Sequence, residues 1–267
     1  MAIVNTHYGF CAKGSALNFT YTGSYNVRDD GVVELLTSGT LVFLDPAVID
    51  VFCVGGGASG SYRISGEPVR MGGGGGGGGY TATKKRLSVN GSITVTIGDG
   101  APGTSGPNKP GGATSFGNFL TAKGGAGQTW ATENGTNGGS GGGGGASSLR
   151  TGGTGGSNGE AGEAATGTGG SGQNSTTREF GEPTGKLYAG GGGGGRYISG
   201  VNAVISAGGA GGGGNGGWCG TSYGDTRSAT SGVANTGGGG GGGAYSGPFY
   251  AAAGGGGSGI VCFRKAV

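Results

Sequence analysis

Apolar residues gather in three strand-like runs near the start of the chain: LNFTYTG (17–23), GVVELLTSGTLVFL (31–44) and AVIDVFCVG (47–55). Short apolar runs bounded by turn signals are what strands require. Turn-forming residues separate the runs, at Asp29-Asp30-Gly31, Ser38-Gly39 and Asp45-Pro46, so the pattern predicts an antiparallel sheet. Further on, YTATKKRLSVNGSITVTIG (80–98) alternates on both sides of Asn90-Gly91. Asn-Gly is the strongest short hairpin signal, because both residues tolerate positive φ, and the pattern predicts two strands joined there. SGIVCFRKA (258–266) reads as a closing strand and SFGNFLTAKGG (115–125) as a weaker one. Strands drawn from both ends and the near-middle point to one small antiparallel β-sandwich, with the remaining chain leaving it and returning.

Between these strands the pattern gives way to glycine. Of 267 residues, 80 are Gly, about 30%, against about 7% in ordinary proteins. Residues 1–54 hold only 5 of them. Each interior Gly costs a helix roughly 1 kcal/mol, so helix is excluded. Collagen is excluded as well, because the glycines come in blocks and there are 7 prolines. Pure runs lie at 55–57, 72–79, 141–145, 190–195, 211–214, 237–243 and 254–257; between them glycines often fall every third residue, as at Gly153, Gly156, Gly159 and Gly162. Three residues per turn is the period of the polyproline-II geometry. Such a helix makes no internal hydrogen bonds, so its amides need lateral partners. A bundle of glycine helices meets that need, and its central members must be nearly pure Gly. The fold class read from the sequence is therefore all-β plus polyglycine-II. The pattern divides the chain into a β-rich N-terminal region, 1–54, and a glycine-helix bundle with displayed loops, 55–267, closed by the strand 258–266. The alternative, a flexible Gly/Ser linker, is disfavoured by the Trp and Tyr residues and by the closing strand.

Charge and cysteine narrow the function classes. The net charge is +3 with 11% charged residues, and the only basic cluster is Lys84-Lys85-Arg86, so nucleic acid is not an expected partner. Cysteines stand at 11, 53, 219 and 262 without a CxxC pair, and His7 is the one histidine. No metal site and no cofactor are expected. Cys53 and Cys262 read as small apolar residues of buried strands, with a bridge between them left open. The N-terminus lacks a basic and then apolar leader, and no run of 18 apolar residues could span a membrane. Synthesis in a cytoplasm, without membrane insertion, is the expectation.

Catalytic constellations are absent: there is no GxSxG and no HExxH, and the carboxylates are dispersed. GxGxxG-like strings arise from composition and carry no meaning for dinucleotides. An enzyme is not expected. The chemistry lies in the irregular segments between glycine runs, which hold Tyr62, Arg63, Trp130, Arg178, Phe180, Tyr188, Arg196, Tyr197, Trp218, Tyr223, Arg227, Tyr245, Phe249 and Tyr250 among Ser, Gly, Asn and Thr. That is the composition of a binding surface. The candidate receptor-binding residues are Trp130, Phe180, Tyr188, Arg196, Tyr197, Trp218, Tyr223, Arg227, Tyr245, Phe249 and Tyr250. The competing reading has these aromatics cap the bundle ends and pack on one another.

The strings VIDVFCVGGGASG, GGGGGGGGYTATKKRLSVNGSITVTIGDGAPG, GGATSFGN and GGGGSGIVCFRKA, in that order, resemble the glycine-rich domain of bacteriophage and prophage tail proteins over roughly residues 48–267. In architecture the chain is similar to the glycine-rich adhesins at the tips of T-even-type tail fibres, though their N-terminal attachment domain is not evident. The resemblance implies a receptor-binding protein of the virion tail that attaches to the bacterial surface, with residues 1–54 as its docking part. It implies as partners a glycan or outer-surface protein and other tail proteins, with a homotrimer as one assembly. It carries over no ligand residues position by position. The alternative is a structural tail or decoration protein without receptor contact.

Overall fold

A computed structural model describes residues 6–8, 17–62, 71–103, 105–129, 134–145, 177–197, 206–220, 226–246 and 249–266. The chain is mostly β. Strands β1 (Thr6–Tyr8), β2 (Asn18–Tyr21), β3 (Tyr25–Val27), β4 (Val33–Leu35) and β5 (Gly39–Val54) are followed by a short β6 (Met71–Gly72), then by β7 (Thr81–Thr96), β8 (Thr114–Phe116) and β9 (Leu120–Ala122). A single 3₁₀ turn, Glu179–Gly181, is the one helical element among the described residues. Short strands β10 (Arg196–Tyr197), β11 (Trp218–Cys219), β12 (Thr226–Arg227), β13 (Ala244–Ser246) and β14 (Phe249–Ala251) precede the closing β15 (Ile260–Lys265).

Nine strands form one antiparallel sheet in the order β3-β4-β15-β5-β7-β8-β9, with β1 and β2 attached through β5. Strands from both sides of the compositional break at residue 54 share this sheet. Two sequence expectations are corrected here. Asp45-Pro46 does not divide two strands, and Asn90-Gly91 does not make a hairpin. Instead β5 and β7 run unbroken beside each other, from Gly39 opposite Val95 to Val54 opposite Thr81. The two turn signals face one another: the register steps from Phe43 opposite Gly91 to Ala47 opposite Val89. Gly91 takes φ 70°, yet both strands bend together at this bulge, because each has its neighbour's ladder to follow. A second register step falls between Ile49 and Val51, where Arg86 adopts φ 53° and donates its N–H to Asp50 Oδ1 at 3.0 Å.

Alternation along β5 and β15 sends neighbouring side chains to opposite faces. Ile49, Val51, Cys53, Val261 and Phe263 pack with Phe19, Leu41, Phe43, Ile93, Val95 and Phe116 in the larger core. Phe263 ties its parts together, its ring centroid lying 5.4 Å from that of Phe19 and 5.8 Å from that of Phe43. Phe52, Val54, Ile260 and Cys262 face the other way, against Phe180 and Tyr188. Burial on both faces explains the continuous apolar run at 51–54. It also decides the cysteine question. Cys53 stands opposite Val261 and Cys262 opposite Phe52, so the two thiols lie on different faces and both are free.

The glycine segments are neither helix nor ladder, and their amides bond sideways. Gly73, Gly76 and Gly79 donate to the carbonyls of Gly243, Gly240 and Gly237 at 2.7–2.8 Å. Gly75 and Gly78 donate to Gly143 and Ser140 at 2.8–2.9 Å, while Gly192 and Gly195 donate back to Gly76 and Gly73. Another neighbour runs in the same direction as its partner: Gly190, Gly193 and Arg196 donate to Gly211, Gly214 and Gly217. Successive bonds to one neighbour are three residues apart throughout. The faces obey the same period. A Cβ on Gly73, Gly76 or Gly79 would strike the carbonyl of Ser61, Ala58 or Gly55; on Gly74 or Gly77, that of Asn134 or Asn137; on Gly75 or Gly78, that of Gly192 or Ala189. Every side of this segment is occupied by backbone, which is why no side chain interrupts 72–79.

Gly75→Ala is expected to cost about 3 kcal/mol or more through overpacking, a fall in Tm of about 6–12 °C for a chain of this size. Gly106, where an added Cβ meets nothing within 4 Å, is the control: Gly106→Ala should stay within about 0.5 kcal/mol of the parent in the same melting experiment.

Candidate functional site

Glycine segments carry the chain away from the nine-stranded sheet and back. Segment 55–62 leaves β5 at Val54 and reaches Tyr62; segment 72–79 returns to β7. Segment 189–195 starts beside Tyr188, which packs on the sheet, and ends at β10. Segment 237–243 starts where Gly237 abuts Val54 and ends at β13. The short strands therefore collect at the end remote from the large sheet. There they form two small sheets, β10-β11-β12 and β14-β13-β6.

The two sheets meet through small side chains. Cys219, Ala244 and Ala251 are buried together, and the Cys219 thiol donates to the Ala244 carbonyl at 3.2 Å. Burial pushes that thiol up to about 11, so it holds little thiolate at neutral pH and serves as packing. Because Cys219 points inward, its strand neighbour Trp218 points outward. The register sets Arg196 and Arg227 on either side of Trp218 on that outer face. Arg227 is exposed, and Arg196 and Trp218 are half-buried.

In the adjoining sheet Tyr245 stands opposite Tyr250, which is 64% exposed. The ring of Tyr250 lies 6.0 Å from that of buried Tyr62. Desolvation first, and then the nearby Cys219, Tyr245 and Tyr250, push the Tyr62 phenol up to about 12. Tyr62 thus supports the aromatic group from beneath.

The structure brings Arg196, Trp218, Arg227, Tyr245, Phe249 and Tyr250 to this end, together with the backbone of Tyr197. Trp130 and Tyr223 lie outside the described residues. Phe180 and Tyr188 are corrected: they belong to the sheet end and are buried, with 2% and 0% of their surface exposed. Phe180 sits on Phe52 at 6.2 Å between centroids, and the Arg264 guanidinium lies over its ring at 4.3 Å. Its φ of 53° is costly for a bulky residue, and this packing holds it there. Tyr188 packs on Phe52 at 5.4 Å and places its hydroxyl 3.3 Å from Glu179 Oε1 and 3.7 Å from Cys262 Sγ.

Charges fasten this 177–189 segment to the sheet. Arg28 grips Glu179 with two bonds, at 3.0 and 2.7 Å. Arg264 bonds Glu182 and also reaches Asp50 at 3.3 Å. Lys186 pairs with Glu34 at 3.5 Å. Sequence reasoning missed both this strap and the Cys219, Ala244, Ala251 support, since glycine-rich spacing gives no sign of which segments meet. Among the described residues no group of three or more His, Cys, Asp or Glu could hold a metal ion, and no helix is long and apolar enough to cross a membrane.

Residues 37–266 match the family model of a glycine-rich domain. No curated protein matches the chain. The match spans most of the sequence, from ahead of β5 to the end of β15, and the chain belongs to this glycine-rich domain family.

Two outcomes test the placement of the strap. Phe180→Ala should cost about 3 kcal/mol or more, as loss of a buried aromatic does, read by denaturant unfolding. Arg264 holds the Glu182 carboxyl below its ordinary value, by the side-chain hydrogen bond first. A carboxyl lowered by folding stabilises above its unfolded value, and that contribution is lost as pH falls through the folded value. The gap in Tm between the parent and Arg264→Gln is therefore expected to be widest near neutrality and to narrow below about pH 4.5.

Proposed function

We propose that this member of the glycine-rich domain family is a receptor-binding protein of a bacteriophage tail, an adhesin that attaches the virion to its host through the end where the short strands gather. The frame would be a bundle of polyglycine-II helices mounted on a small β-sandwich. The step of three in the lateral hydrogen bonds supports that geometry. So does the distinct neighbour met by each face of segment 72–79. Recognition commonly sits on irregular segments held by a rigid scaffold.

The observation that carries the functional reading is the group of Trp218, Arg227 and Tyr250 turned outward at the end remote from the sheet. The resemblance of the motif order to that of phage tail glycine-rich domains suggests the biological setting of this reading. In this reading the nine-stranded sheet docks on other tail proteins, with a homotrimer as one arrangement, and the bacterial glycan or outer-surface protein is met at the opposite end.

Fluorescently labelled protein scored on a panel of bacterial strains tests the reading. Strain-selective binding is expected, weakened about tenfold or more by the Trp218→Ala, Tyr250→Ala double variant, since aromatic anchors at interfaces contribute about 1–3 kcal/mol each. The variant should melt with the parent. Absence of binding to any strain by folded protein would overturn the adhesin and leave a structural tail protein in its place.

A further inference from the structure

We propose that the outward face of the β14-β13-β6 sheet binds a pyranose ring of a bacterial surface glycan, stacked on the pair Tyr245 and Tyr250. The inference rests on the receptor-binding reading and names the ligand chemistry of the same end. It begins with the register. Ala244 stands opposite Ala251, and Tyr245 stands opposite Tyr250. The two alanines are buried against Cys219 of the other small sheet. Successive residues of a strand point to opposite faces, so both tyrosines turn away from that core and share one face. Tyr250 is 64% exposed and Tyr245 is half-buried.

Support from behind comes next. Directly opposed residues of an antiparallel pair hold their Cβ atoms about 5 Å apart, so the two rings are neighbours. The buried ring of Tyr62 lies 6.0 Å from that of Tyr250, tilted by 46°, an aromatic contact that steadies the exposed ring. Tyr62 is itself tied down, its amide donating to the Gly106 carbonyl at 2.9 Å. A side chain held in place before a ligand arrives loses little entropy when it is covered.

The chemistry of the face selects the ligand. Segments 55–62, 71–79, 237–246 and 249–259, which carry and support the pair, contain no Asp, Glu, Lys, Arg or His. Contact on these segments therefore falls to ring faces and hydroxyls. A pyranose has the same two parts. Its C–H face lies against an aromatic ring, and its rim of hydroxyls can exchange hydrogen bonds with the two phenols. An anchor residue of a protein partner is held best in a pocket that closes around it, and here the ring of Tyr62 already occupies the place behind Tyr250.

The experiment measures binding of the fluorescently labelled full chain to cells of a strain that it recognises. The cells are treated beforehand either with periodate, which cleaves the vicinal diols of sugars, or with a broad-specificity protease. Binding is expected to be lost after periodate and kept after protease. Tyr250→Ala should lower the affinity about tenfold or more without moving Tm. Tyr250→Phe, which keeps the ring, should stay within about threefold of the parent. Phe119→Ala removes an exposed aromatic of the large sheet and should leave binding unchanged.

Binding that survives periodate and is lost to protease would overturn the proposal and leave the adhesin standing, with a protein as receptor. An unchanged affinity for Tyr250→Ala would also overturn it, as would a Tyr250→Ala defect that tracks a loss of Tm or an equal defect in Phe119→Ala. Absence of binding to any strain defeats both this inference and the adhesin.

Discussion

Everything in this protein depends on the sideways hydrogen bonding of glycine backbone. A segment such as 72–79 has no side chains to bury and no internal bonds to close, so in isolation it gains nothing for the large entropy it gives up. Ordered, its amides and carbonyls are shared among 58–61, 136–143, 192–195 and 237–243. Each of those segments is in turn held by others. The array therefore stands or falls together, and its close approach of backbone to backbone is possible only because Cβ atoms are missing at the contacts. Here backbone polar groups do much of what an apolar core does elsewhere.

Such an array still has to be started and ended somewhere. The nine-stranded sheet supplies the start. Strands β5, β7 and β15 each run directly into or out of a glycine segment, so the strands set where those segments enter. The strap at 177–189 reinforces the junction, with Phe180 and Tyr188 covering the outer face of β5 and β15 and with Arg28 and Arg264 holding Glu179 and Glu182. Buried charge is an expensive fastener, and its placement at the join between two kinds of structure fits a role in fixing how the segment lies.

The far end obeys a different rule. There the glycine pattern breaks, side chains return, and short strands close over a very small core of Cys219, Ala244 and Ala251. With the inner face so small, the larger residues are turned outward. Trp218 and Tyr250 are presented at this end because its interior has no room for them, and the cross-strand register then sets two arginines beside the indole.

The sequence alone located the principal strands of the large sheet, the dominance of β structure and the three-residue spacing of the glycine segments, because alternation and spacing are local properties that the residues state directly; the short strands β10–β14 fall in segments it reads as irregular. It also marked most of the aromatic and arginine residues that gather at the far end. It could not say that Asn90-Gly91 and Asp45-Pro46 bend two paired strands and do not reverse them, since a turn signal has no knowledge of the ladder beside it. Nor could it separate Phe180 and Tyr188 from Trp218 and Tyr250. All four sit in similar Gly- and Ser-rich surroundings, and only the assembled array decides which segment ends face the sheet and which face solvent. The reason is physical: a glycine run has no side chains with which to declare its neighbours, so the pairing is specified by the whole set of runs at once and appears only in the tertiary structure.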